Sequence, residues 1–329
     1  MRRIVAATLA LSALLAACGG TSEGSGNGAK LTLVAYSTPR EVYADLTREF
    51  AKTAAGKGVT FEESYGSSGE QSRAVEAGLP ADVVAFSLAP DITRLVEAGL
   101  VDASWVDDSY GGMVTNSVVV FAVRKGNPKG IKTWDDLVKD GVEVIEPNPF
   151  TSGGARWNVM AAYGAQRKLG RSHEQAVAYL AELFKHVSVQ DKSARESLQT
   201  FTGGKGDVLL AYENEAILAQ EKGEALDYVV PEQTILIQNP VAVTSESDNP
   251  DQARAFLDYI RSDTAQKVFG EAGYRPVAES VAGQFQYPVP PQLFTIDDVG
   301  GWDEVQQRFF DREDGIMAAI QRDVGAALG

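Results

Sequence analysis

The sequence predicts an α/β protein of two lobes, each a mainly parallel sheet flanked by helices, with two extended segments crossing between the lobes. Three observations carry that prediction. Residues 31–98 alternate short apolar, β-branched runs with amphipathic stretches. Residues 133–222 repeat the alternation at a similar size. Two long apolar runs, residues 118–123 and 235–243, lie where the chain must pass from one set to the other, so they read as crossover strands and a hinge. On this reading residues 31–117 and 244–329 form one lobe, with the C-terminal helices free to pack back on the other, and residues 118–243 form the second. No period suggests a solenoid.

In chain order, residues 31–36 form a first strand. Residues 40–55 follow as a helix with Val42, Leu46 and Phe50 on one face and Pro39 at its first turn. Residues 59–64 and 82–86 are further strands, and 67–77 and 91–98 further helices. Thr133 caps a short helix over 134–139, residues 142–145 read as a buried strand, and 157–169 as an amphipathic helix. His173–Lys185 is a helix with Ala176, Leu180, Leu183 and Phe184 inward, residues 187–189 a short strand, and 193–201 a loop and helix start containing Ala194 and Arg195. The strand 207–212 runs straight into a helix over 213–222. The second crossover is expected to be interrupted at Asn239-Pro240. Helices follow over 250–260 and 265–272, residues 276–292 are irregular, and 302–328 read as one long final helix.

In parallel sheets ligands sit beyond the C-terminal strand ends, at strand-to-helix loops. The most informative such loop is residues 148–158, Asn-Pro-Phe-Thr-Ser-Gly-Gly-Ala-Arg-Trp-Asn. Prolines stop the strand, a hydroxyl caps the helix, and Gly153 and Gly154 let backbone N–H groups approach something small. A helix start has unpaired N–H groups and partial positive charge, so Ser152, Gly153 and Gly154 are candidates to hold an oxyanion. Ser68, in the loop of residues 64–69, is a second candidate on a different part of the chain, and Ser37 lies in a third such loop.

The chain has 329 residues, 45 acidic against 30 basic, a formal charge of −15. That balance argues against nucleic acid, although a local site can still be positive. Residues 1–17 read as a signal peptide: Arg2 and Arg3 precede an apolar run too short to span a bilayer. It ends in Leu15-Ala16-Ala17-Cys18, which resembles a bacterial lipobox, with Cys18 the lipidated residue and the only cysteine of the chain. Residues 18–30, rich in Gly, Ser and Asn, read as a flexible tether. The expected location is therefore outside the cytoplasm, anchored by lipid to the outer side of a bacterial membrane.

Taken together and in order, these loops resemble the periplasmic sulfate-binding proteins, the solute receptors of sulfate and thiosulfate ABC importers. The resemblance runs from about residue 31 to 302. It is carried by Gly66-Ser67-Ser68-Gly69, Ala81-Asp82-Val83-Val84, residues 121–129, residues 147–158, Ser193-Ala194-Arg195, residues 206–216, Tyr274-Arg275-Pro276 and Phe294-Thr295-Ile296-Asp297. It implies a two-lobed type II periplasmic binding protein that closes on one desolvated dianion, sulfate or thiosulfate. It further implies a monomer that delivers its ligand to a membrane permease, with no cofactor and no metal. The ligand-contacting positions of the family fall on Ser68, Ser152, Gly153, Gly154, Ala194 and Tyr212, with serine hydroxyls, backbone N–H groups and one aromatic group as donors. Two departures bear on selectivity. The aromatic donor is usually a tryptophan and here is Tyr212, which can also accept. Glu70 stands where relatives commonly carry lysine, and is expected to turn towards solvent. Arg156 and Arg195 are expected to brace their loops rather than touch the anion.

Neutral donors suffice for a dianion when preorganised helix starts replace water. A site made only of donors also leaves the P–O–H proton of hydrogen phosphate without an acceptor. Receptors for molybdate, tungstate or phosphate are the alternatives within this class. A hydrolase of sulfate or phosphate esters is disfavoured: H-E-x-x-H and G-x-x-x-x-G-K-[ST] are missing, the G-x-S-x-G match at residues 20–24 falls in the expected tether with no strand before it, and His173 and His186 lie outside the motif loops.

Overall fold

Two long strands organise the molecule, and a computed structural model describes them within residues 28–328. The signal peptide, Cys18 and all but the end of the tether lie outside the described residues.

The chain begins with β1 (Lys30–Tyr36), α1 (Arg40–Phe50), β2 (Thr60–Gly66), α2 (Ser68–Glu76), β3 (Val83–Ala85) and α3 (Ala89–Glu97). It then crosses in β4 (Met113–Arg124). The second lobe holds β5 (Val144–Ile145), α4 (Gly153–Lys168), α5 (His173–Lys185), β6 (Val187–Val189), α6 (Ala194–Thr202), β7 (Val208–Tyr212), α7 (Glu213–Glu221) and β8 (Leu226–Val229). The return is β9 (Gln233–Val243), followed by α8 (Pro250–Arg261), α9 (Asp263–Glu271), β10 (Arg275–Pro276), α10 (Glu279–Ala282), β11 (Gln292–Phe294), α11 (Gly301–Phe309) and α12 (Ile316–Asp323).

The strand order is β2-β1-β3-β9-β4-β7-β5-β6. β1 is parallel to β2 and β3, and β5 is parallel to β6 and β7. The antiparallel pairs come from the crossovers, β9 against β3 and β4 and β4 against β7, β8 and β10. This is the predicted two-lobed α/β architecture, with β4 and β9 paired side by side where the lobes meet.

Side-chain alternation explains why both faces of each sheet are covered. Leu31, Leu33 and Ala35 pack with Val42, Leu46, Phe50 and Phe256, whereas Val34 packs with Val84, Phe86, Ile92 and Leu95. In β4, Val119, Phe121 and Val123 enter the core beneath α4 and α5, and Val118, Val120 and Ala122 enter the one beneath α6 and α7. The C-terminal α11 and α12 contribute Val305, Phe309, Met317 and Ala318 to the α4–α5 core.

Several local expectations change. The final helix is broken: the Asp311 carboxylate accepts from the N–H groups of Glu313 and Asp314, and the Gly315 N–H bonds the Asp311 carbonyl, so a turn ends α11 before α12 starts. β9 runs unbroken through Asn239-Pro240; the irregularity falls on the partner strand, where the pairing shifts between Met113 and Thr115 opposite the residue without an N–H. α4 begins at Gly153, not at Trp157. β8 is an additional strand, and the irregular stretch after residue 276 contains α10.

Candidate functional site

Six loops converge on one small cavity between the lobes, with about 10 Å3 open to a water-sized sphere. Each sits directly before a helix: Tyr36–Thr38 before α1, Gly66–Ser68 at α2, Ser87 before α3, Ser152–Gly154 at α4, Ala194 at α6 and Tyr212 at α7. The structure thus brings together all of Ser68, Ser152, Gly153, Gly154, Ala194 and Tyr212, with Ser37 beside them, from segments far apart in sequence. No charged side chain lines this cavity, although N–H groups of several helix first turns converge on it. A larger hollow lined by Glu76, Asp82, Glu246 and Asp248 against Lys30 has the wrong sign of charge for an anion.

The donors are fixed differently at each position. Ser152 is the N-cap of α4: its Oγ accepts from the Ala155 N–H at 3.3 Å, and its own proton remains free to be donated. Gly153, Gly154 and Ala194 occupy first-turn positions whose N–H groups have no partner within their helices. Ser68 departs from the expectation that its hydroxyl faces a ligand. That hydroxyl donates to Asp91 at 2.5 Å and accepts the Ser87 N–H at 3.0 Å, so what Ser68 offers the cavity is its backbone N–H at the start of α2.

Behind this lining lies a layer of charge. Burial raises the Asp91 carboxyl above its ordinary range, opposed by Arg156 and the Ser68 hydrogen bond. Burial likewise raises Glu215, opposed by Arg195 and by the Thr38 hydroxyl, which donates to it at 3.2 Å. Arg156 donates to the Pro149 carbonyl at 2.9 Å and to Gln306 at 2.7 Å, which fastens the glycine loop to α11. Arg195 reaches across the cleft to the Thr38 carbonyl at 2.8 Å and to the Glu41 carboxylate at 2.7 and 2.8 Å, and Lys222 joins it on Glu41 at 2.6 Å. Both arginines therefore direct guanidinium nitrogens to loop carbonyls, a side-chain amide or a carboxylate, and the Arg195 Nε is buried without a partner.

Sequence reasoning missed Ser87. Its carbonyl accepts from the Trp157 indole at 2.8 Å and the Asn239 amide at 3.0 Å, and its hydroxyl lies 2.6 Å from the Tyr212 phenol oxygen. The available signal was its position at the end of β3, the same kind of place as every other lining residue. Trp157 is buried, as expected of a core residue, and its N–H also has this positioning role. Glu70 accepts from the Ser67 hydroxyl at 2.7 Å and lines an outer hollow with Arg40, Lys192 and Arg195, outside the inner cavity. His173 and His186 stand at the two ends of α5.

Comparison with known proteins bears directly on this arrangement. Residues 31–275 match the family model described as bacterial extracellular solute-binding protein. A sulfate-binding protein of Synechococcus elongatus is 44% identical over 311 residues, covering 90% of this chain and 89% of its own length. The chain belongs to the bacterial extracellular solute-binding proteins. A thiosulfate-binding protein of Pseudomonas aeruginosa is 35% identical over 324 residues, 94% of this chain and 96% of that one. Among solved structures, the sulfate-binding protein SubI of Mycobacterium tuberculosis superposes with a TM-score of 0.84 at 44% identity, over 86% of this chain and all of that one.

For a solute-binding protein the contacts across the cleft describe a closed form. Glu41 lies in α1 and Arg195 in α6, so their ion pair joins the lobes. Burial works to raise the Glu41 carboxyl, and the hydrogen bonds from Arg195 and Lys222 outweigh it, taking it from 4.5 to about 2. The bridge is therefore charged throughout the neutral range.

Proposed function

We propose that this solute-binding protein captures sulfate, with thiosulfate as a second ligand, in the cavity between its lobes and delivers it to an ABC importer permease. The observation that carries the reading is the lining: hydroxyls and helix-start N–H groups, with no carboxylate and no cation among them. Such a lining matches an anion that has no proton to give away. The named ligands of the similar proteins, sulfate and thiosulfate, support it. The assigned donors are Ser152, Gly153, Gly154, Ala194, Tyr212 and the Ser68 N–H, with Ser37, Arg156 and Arg195 holding the loops. The protein acts as a receptor, not as an enzyme, and as a monomer with residues 31–117 and 244–329 in one lobe and 118–243 in the other.

Calorimetric titration with sulfate, thiosulfate, molybdate and phosphate tests this. Sulfate should bind tightly and phosphate at least about 100-fold more weakly, because no carboxylate lines the cavity to accept its proton and a hydroxyl that accepts it gives up its own donation to the anion. Phosphate affinity equal to that for sulfate would overturn the reading. Ser152→Ala removes a charge-assisted hydrogen bond and should weaken sulfate by about 10- to 100-fold; an unchanged affinity would place the anion elsewhere.

Residues 1–18 support export and anchoring. Cleavage before Cys18 and its lipidation would hold the receptor on the outer side of the membrane, joined by residues 18–30. The exported protein should partition into detergent, and Cys18→Ala should release it; a soluble protein with intact Cys18 would refute the anchor.

A further inference from the structure

The aromatic donor of the cavity is not alone. Tyr212 and Ser87 are 125 positions apart and come from opposite lobes, yet their hydroxyl oxygens lie 2.6 Å from each other, both buried and both lining the cavity. Ser87 has little freedom to move. Its N–H is given to Ser68, and its carbonyl is held by Trp157 and Asn239. Gly153 sits against it so closely that a Cβ there would lie 2.8 Å from the Ser87 Oγ.

Two hydroxyls in contact have two protons, and one is used between them. The other is left for whatever occupies the cavity. A phenol is the stronger donor and an aliphatic alcohol the better acceptor, which favours Tyr212 donating to Ser87 and leaves the Ser87 proton for the cavity. Building on the oxyanion reading of this cavity, we propose that Ser87 is a further anion-binding residue, and that Ser87 and Tyr212 act as one hydroxyl couple supplying a single donor to the bound dianion. The couple also forms only when the lobes meet, so this donor is assembled by closure.

The arrangement has a signature that independent ligands would not give. Removing either hydroxyl frees the other from its partner, and the remaining one still has a proton to donate. Ser87→Ala and Tyr212→Phe should therefore each weaken sulfate binding by less than about threefold. The double variant loses the donor and should weaken it by about 10- to 100-fold, more than the product of the singles. Tyr212→Trp on the Ser87→Ala background supplies an indole N–H that needs no partner, and should bring affinity back to within about threefold of the wild type.

Calorimetric titration of the wild type and the four variants with sulfate reads this, with thermal melts confirming that each is folded. Losses that multiply, or a double variant that binds like the wild type, would overturn the couple while leaving the sulfate reading intact. A wild type that binds neither sulfate nor thiosulfate would overturn that reading and the couple with it. Should the double variant not melt cooperatively, Ser87→Cys with Tyr212→Phe keeps the packing and leaves only a weak thiol donor. A loss below about threefold in that protein would equally overturn the couple.

Discussion

Gly153→Ala is expected to weaken sulfate binding by on the order of 100-fold while leaving the thermal melt of the unliganded protein nearly unchanged. The reason is geometric. A Cβ at this position would lie 2.6 Å from Leu88 Cδ2, 2.7 Å from Ser87 Cβ and 2.8 Å from Ser87 Oγ. These atoms belong to the loop after β3, on the facing lobe, and in the closed form the Ser87 carbonyl accepts from Trp157, on the same helix as Gly153, and from Asn239 of β9. A loop that retreats and lobes that part both lose the Trp157 bond, so the added methyl costs closure either way. When the lobes are open the methyl meets solvent and costs little. The adjacent glycine is the control. A Cβ at Gly154 would meet Ala194 Cβ at 3.3 Å and Ser152 Oγ and Tyr212 Cε1 at 3.5 Å, distances that small adjustments absorb. Gly154→Ala should therefore lose less than about tenfold. Titration of both variants, with solution scattering to follow closure, separates them; a Gly153→Ala protein that binds within threefold of the wild type would show that the lobes do not need this contact.

That contrast also shows what could be read from the chain before its structure. The run Ser152-Gly153-Gly154 was legible because strand, proline, cap and glycine occur within a few residues, and local geometry dictates them. The two lobes were legible because hydrophobic period survives in single segments. Ser87 was not, since it stands between Phe86 and Leu88, both fully buried, and reads as one polar residue in a core strand end. Its role depends on Tyr212, and no local pattern connects the two. The hydroxyl of Ser68 misled for a similar reason: its partner, Asp91, lies on the next helix. The continuous final helix failed at a side-chain turn. Residues 311–315 carry charges that suit a helix surface, and only the hydrogen bonds of Asp311 show that the chain turns there.

The same distinction between local pattern and distant partner governs Arg275. In the sequence it is one basic residue before a proline; in the fold its Nε and Nη2 both lie 2.8 Å from the Glu213 Oε2, and Glu213 is fully buried at the first turn of α7, next to Tyr212. Arg275→Ala should cost about 3–5 kcal/mol of stability at neutral pH, because it strands a buried carboxylate. The pH dependence identifies the cause. Burial raises the Glu213 carboxyl above its ordinary value, and Arg275 opposes that rise. Without Arg275 the carboxyl rises further. A raised carboxyl destabilises the fold where the unfolded chain would ionise it, and the penalty disappears as pH falls below the ordinary 4.5. The stability gap between wild type and Arg275→Ala should therefore narrow steadily from pH 7 towards pH 4.5 in denaturant titrations. Adding Glu213→Gln should recover most of the loss at pH 7, since no charge is then left buried. A gap that stays constant with pH, or a double variant as unstable as the single, would mean that Arg275 stabilises the start of α7 by packing alone, without neutralising Glu213.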